Sequence, residues 1–157
     1  MQLFFAAVAA LAASASAHIS LNPAVSPANS YFVPVLRVPH SYPGANTTNI
    51  TVTIPTDKVS SVKPQQVDEW KVAFEYETIN GTKAVSKVTW YGGSLPNSQY
   101  QDFGMNLKLM DLPVGTVIYF PTTQVSDNGT LAWVGVPDAA GKLSASEPAP
   151  KITIVKA

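Results

Sequence analysis

The sequence predicts an all-β fold, on three observations. Apolar and polar residues alternate with a period of two in run after run, the runs are short and bounded by Pro, Gly, Asn, Asp and Ser, and no window carries a helical period. About nine such strands, with no helical crossovers between them, point to an immunoglobulin-like antiparallel β-sandwich.

Taken in chain order, the first element is not part of that fold. Leu3 to Ala13 is an apolar, Ala-rich run followed by Ser14, Ala15, Ser16 and Ala17. It is too short to span a bilayer and ends in small residues where a signal peptidase reads them, so residues 1–17 are expected to be a secretory signal peptide and His18 the first mature residue. The mature domain, 18–157, is read as one unit, since neither a repeat nor a linker interrupts it.

Strands are expected near 19–22 and 30–38, the second at an edge or bulged because Pro34 has no N–H for a ladder. Asn49 to Ile54 and Trp70 to Glu77 alternate without a break, each placing its large apolar side chains on one face of a half-buried strand. Further strands are expected near 84–91, 99–109, 116–125, 130–136 and 151–155. Asn80-Gly81, Gly92-Gly93, Asp127-Asn128-Gly129 and Ala140-Gly141 read as the turns that connect them. The last strand ends the chain with no hydrophobic tail, so no membrane anchor is expected and the protein is read as extracellular, or periplasmic in a bacterium. Four Asn-x-Thr acceptors, at Asn46, Asn49, Asn80 and Asn128, gain meaning in a eukaryotic secretory route.

Composition narrows the chemistry. The 157 residues carry ten Lys+Arg against ten Asp+Glu, a net charge of zero, which argues against nucleic acid or an anionic membrane as partner. With no Cys there are no disulfides, thiolate metal sites or thiol nucleophiles, and only His18 and His40 offer an imidazole. No Gly-x-Ser-x-Gly elbow, phosphate loop, Ca²⁺ loop or HExxH segment is present. The carboxylates, Glu147 among them, form no pattern that sets a β-domain of this size apart, and no enzyme activity is expected.

Cleavage after Ala17 would give His18 a free α-amine beside its own imidazole Nδ1. The two nitrogens close a six-membered chelate, and both become available near neutral pH once a metal competes with protons. Two nitrogens in tetragonal geometry suit Cu(II), the strongest binder among first-row divalent ions in such a site.

A resemblance along nearly the whole mature chain bears on the same point. His18-Ile19-Ser20-Leu21-Asn22-Pro23, Leu36-Arg37-Val38-Pro39-His40 and Thr47 through Pro55 are followed by Val62-Lys63-Pro64, Glu69-Trp70 and Val88 through Pro96. Tyr100-Gln101-Asp102-Phe103, Tyr119-Phe120-Pro121 and Leu131-Ala132-Trp133 complete the series. In order and spacing they resemble the YcnI-like family of secreted copper-binding domains. The resemblance implies a sandwich fold and a copper site built on a single N-terminal His, with a carboxylate and a Trp nearby.

Carried over by position, His18 supplies amine and ring, and Trp133 matches the family's late Trp, where an indole shields the metal from solvent and redox cycling. Asp102 stands where relatives carry Glu, and its shorter side chain draws the oxygens back by about one C–C bond, enough to turn ligation into contact through water. The ordinary readings are a solvated strand residue for Asp102 and a core aromatic for Trp133. His40, in a loop rich in Ser, Pro and Gly, is either a second copper ligand or a surface residue. Relatives carry a Cys near that point that pairs with another in a later loop; Tyr42 and Ser126 stand at about those places here, which leaves the loop without a staple. Trp70 and Trp90 are expected in the core, and Tyr31, Tyr91 and Tyr100 remain neighbours to test.

The expected function is therefore copper buffering or delivery, with a copper ion and another copper-handling protein as partners. Two other classes stay open: a copper oxidase resembling polysaccharide monooxygenases, which use a second imidazole, and a metal-free surface or adhesion module.

Overall fold

The computed structural model describes residues 18–157; the expected signal peptide, residues 1–17, lies outside the described residues. All regular structure among the described residues is strand, in fourteen segments. These are β1 (Ser20–Asn22), β2 (Val25–Pro27), β3 (Tyr31–Phe32), β4 (Val35–Val38), β5 (Thr47–Thr53), β6 (Val59–Pro64) and β7 (Lys71–Ile79). Then follow β8 (Thr82–Leu95), β9 (Gln101–Leu109), β10 (Val117–Tyr119), β11 (Thr122–Ser126), β12 (Gly129–Gly135), β13 (Glu147–Pro148) and β14 (Lys151–Val155).

The nine expected runs become fourteen for physical reasons. Pro34 divides one run into β3 and β4, and Pro121 divides another into β10 and β11, since neither proline can donate to a ladder. Strands β2 and β13, of three and two residues, are too short to show a period. Strand β6 escapes notice because its ladder slips between Val59 and Ser61, so the inward residues Val59 and Val62 stand three apart instead of two.

One sheet runs β13-β12-β11-β5-β8-β7. In the other, β9 pairs with β4 and β3, laid end to end along one edge, and with β6 along the other, while β1 lies beyond β4. A third ladder, β10-β14-β2, lies against β1 through β14. Nine pairings are antiparallel, but β12–β13 and β14–β2 are parallel, a departure from the uniformly antiparallel expectation that arises where loops, not hairpins, deliver the short partner. Between the sheets Phe103, Met105, Leu107 and Leu109 of β9 face Ile50, Val52, Val88 and Trp90, all buried. Trp70 joins them as expected, its ring edge-on to Phe103.

Two expectations fail locally. Strand β7 alternates, yet it is the edge of its sheet, and Phe74 and Tyr76 are 42% and 50% exposed, so the strand is not half-buried along its length. The two rings stack on each other instead, with Lys83 Nζ 3.9 Å above the Tyr76 ring. Gly92-Gly93 is not a turn: β8 runs straight through it, and the β5 ladder skips there, pairing Thr47 with Leu95 and Asn49 with Tyr91. Gly92 takes φ +80°, and a Cβ on Gly93 would fall 2.2 Å from the Trp70 ring, so the glycines make a bulge that admits the indole. The remaining turns form as expected, Asn80 (φ 48°) and Gly81 (φ 78°) closing a two-residue hairpin between β7 and β8.

Candidate metal centre

His18 stands just before β1, where Ile19 and Leu21 are buried in the core and tie the start of the domain to β4. That anchoring holds the His18 side chain at the surface, 47% exposed, against the end of β12 and β13. Its ring meets the Trp133 indole edge to face, with centroids 5.6 Å apart and planes at 84°. Its Nδ1 lies 3.7 Å from Oε2 of Glu147, close enough for electrostatic attraction and too far for a hydrogen bond.

Glu147 reaches this place through the parallel pairing of β13 with β12, in which it sits directly opposite Trp133. The approach depends on Gly135, since a Cβ there would meet the carbonyl oxygens of Glu147 and Ala145 at 2.7 and 2.8 Å. Trp133 itself is buried, 4% exposed, and donates its indole Nε1–H to Oε1 of the fully buried Gln124 at 3.1 Å. It is thus a core residue whose ring also forms the wall beside His18. Gln124 in turn donates through Nε2 to Thr47 Oγ1 at 2.8 Å and to the carbonyl of Pro39 at 3.4 Å, tying the indole to the loop that carries His40.

The other candidates have different partners. Asp102 takes a bidentate pair from Arg37, 2.8 Å to Nε and 2.7 Å to Nη2, on the outer face of β9 and β4. That carboxylate holds the guanidinium above its usual pKa, first by hydrogen bonding and then by charge, and Arg37 also covers the Tyr100 ring at 4.6 Å. His40 Nδ1 lies 3.2 Å from the carbonyl of Ser41. Tyr31 belongs with Lys108 on the outer face, not with His18.

The His40 loop, expected to be unstapled, is fastened by hydrogen bonds. Ser41, not Tyr42, faces Ser126, and their buried hydroxyls bond directly. The Asp127 N–H donates to the carbonyl of Asn46 and the Asn46 N–H to the Asp127 carboxylate, and Tyr42 donates to the carbonyl of Thr130 while its ring covers Gly129. Glu147 and Gln124 were not singled out by sequence. A polar Gln at an inward position of an alternating strand was the one available signal for Gln124, and Glu147 gave none beyond its charge.

Among the described residues no three His, Cys, Asp or Glu side chains gather closely enough to hold a metal. The corner brings together one imidazole and one carboxylate, those of His18 and Glu147.

The family profile described as a domain of unknown function, DUF1775, matches residues 18–154. The chain belongs to this family. It is the YcnI-like domain family, as the motifs from His18 to Trp133 implied. A crystal structure of an uncharacterized protein from Nocardia farcinica, described as an immunoglobulin-like fold, matches with a TM-score of 0.71 at 26% identity, over 88% of this chain and 99% of that one. The sixth cohesin of Acetivibrio cellulolyticus scaffoldin B, solved in complex with a Cel5 dockerin, matches with a TM-score of 0.48 at 12% identity over 87% of this chain and 97% of its own. No curated protein matches significantly. The YcnI-like assignment and the immunoglobulin-like neighbour agree with the sandwich expected from sequence alone.

Proposed function

We propose that this YcnI-like protein is an exported, non-catalytic copper binder that holds Cu(II) through the amine and Nδ1 of an N-terminal His18 and that buffers copper or passes it to another copper-handling protein. One observation carries the reading: the imidazole next to the expected cleavage point faces a carboxylate at 3.7 Å and an indole wall at 5.6 Å. Glu147, not Asp102, takes the place of the carboxylate, because Asp102 spends both oxygens on Arg37. The donor chemistry fits the ion. Two nitrogens fix a chelate ring, a carboxylate at the edge offsets charge, and the partial exposure of His18 leaves the ion accessible for transfer.

The oxidase alternative finds less support. It needs a second imidazole beside the first, and the His40 ring nitrogen Nδ1 is instead 3.2 Å from the carbonyl of Ser41 in its own loop. Mass spectrometry of the secreted chain with and without Cu(II) tests the proposal. A chain beginning at His18 that retains one copper supports it, and a mature chain that retains none overturns it.

A further inference from the structure

The four Asn-x-Thr acceptors differ sharply in what the fold does with their polar groups. At Asn46 the amide Nδ2 donates to Ser94 Oγ at 3.1 Å, and the hydroxyl two residues on, Thr48 Oγ1, donates to the carbonyl of Val125 at 3.4 Å. Asn49 lies inside β5, paired on one side with Val125 and on the other with Tyr91, and Thr51 Oγ1 shares a hydrogen bond with Thr89 Oγ1 at 2.9 Å. Asn46 therefore stands at the entry to β5 and Asn49 within it, both half-exposed, and the hydroxyl two residues after each is hydrogen-bonded.

Asn80 and Asn128 stand instead at the tips of two hairpins, β7–β8 and β11–β12. Asn80, Thr82, Asn128 and Thr130 are all exposed, and among the described residues no hydrogen bond engages the side-chain amide of either Asn or the hydroxyl of either Thr. Asn80 has φ 48° and is followed by Gly81 at φ 78°, so its side chain leaves a tight turn with no neighbouring strand on its outer side. Both tips lie in the sheet that also carries Trp133, Asn128 at the opposite end of β12 from Gly135 and Asn80 at the far edge from β13, beside the edge strand β7.

We infer that Asn80 and Asn128 are N-glycosylation sites and that Asn46 and Asn49 are not. In the reaction, Asn Nδ2 bonds to the anomeric carbon of the sugar of a lipid-pyrophosphate-linked oligosaccharide. The bond from that carbon to the pyrophosphate oxygen breaks, the lipid pyrophosphate departs, and the amide gives up one proton to the transferase. The hydroxyl of the second residue after Asn must be free to bind in the transferase, and a glycan must then have solvent to occupy. The hairpin tips meet both conditions in the folded chain, whereas at β5 and its approach Thr48 and Thr51 are hydrogen-bonded and Asn46 and Asn49 are only partly exposed. This inference rests on the export reading above, because the transferase works in the secretory lumen.

The test is secretion of the full chain from yeast in two forms, one with its own residues 1–17 and one with a heterologous leader before His18, followed by glycosidase release and peptide mapping. The expected result is carbohydrate on the peptides of Asn80 and Asn128 alone. Thr82→Ala and Thr130→Ala, which spare the turn asparagines, should each remove one glycan step from the mobility of the chain, and Thr48→Ala and Thr51→Ala none. Bare Asn80 and Asn128 on protein carried out by the heterologous leader, or glycans on Asn46 or Asn49, overturns the inference. Failure of the native leader alone leaves that second form to decide the matter and counts against the export reading only.

Discussion

Two places in this molecule bring a basic side chain, a carboxylate and an aromatic ring together, and they differ in what is left over. On the outer face of β9, Arg37 and Asp102 satisfy each other with two hydrogen bonds, and the guanidinium covers Tyr100. At the end of β12, His18 and Glu147 stop at 3.7 Å, with Trp133 behind the imidazole. A matched fork and carboxylate form a closed pair with nothing to offer a metal. A ring nitrogen and a carboxylate held just beyond bonding distance keep their lone pairs for a third party. The same kinds of residue therefore mark a surface ion pair in one place and a candidate ligand set in the other.

Substitutions at the two places should separate them. The largest effect is expected at His18. His18→Ala removes the ring donor and should abolish Cu(II) binding in a titration of the mature chain, with thermal stability little changed because the side chain is half exposed. Glu147→Gln should weaken Cu(II) binding by about 10–100-fold, the range found when groups around a metal's ligands are altered, whereas Asp102→Asn should leave the affinity unchanged. Equal losses from both would erase the distinction between the two carboxylates. Trp133→Phe should remove most of the fluorescence quenching caused by Cu(II), which Trp70→Phe should preserve. It should also cost about 1–3 kcal/mol in denaturant unfolding, because it leaves the buried Oε1 of Gln124 without its donor. The smallest effect is expected for His40→Ala, a loss of Cu(II) affinity within about threefold, since its ring contacts its own loop. A loss as large as that of His18→Ala, with oxidised products released from a polysaccharide in the presence of reductant, would move the protein to the oxidase class.

How far the sequence could be read follows the same division. The sandwich was legible because stretches of β5, β8 and β9 alternate and turn one set of apolar side chains inward, as Ile50, Trp90 and Phe103 do. Local geometry was not. The Gly92-Gly93 bulge carries the residues of a turn, and only the Trp70 ring packed against Gly93 shows why they are needed. His18 and Trp133 were legible, one from the cleavage pattern and the other from a motif match, and the fold brings their rings into contact. Glu147 was not, because a two-residue strand has no period and its parallel pairing with Trp133 depends on a close approach at Gly135. Asp102 looked eligible by position, and its partner Arg37, 65 residues away in sequence, was invisible until β4 and β9 were paired.

The central claim is that the terminal amine of His18 completes the site, and one measurement addresses it directly. Cu(II) affinity should be compared, at the same pH, between the chain that begins at His18 and a chain that keeps extra residues before it. Acylation removes the amine from the chelate but spares the imidazole, Glu147 and the fold. The account predicts one tightly bound Cu(II) in the mature chain and loss of most of that affinity in the extended one, with both chains folded. Equal affinity in the two chains would contradict it.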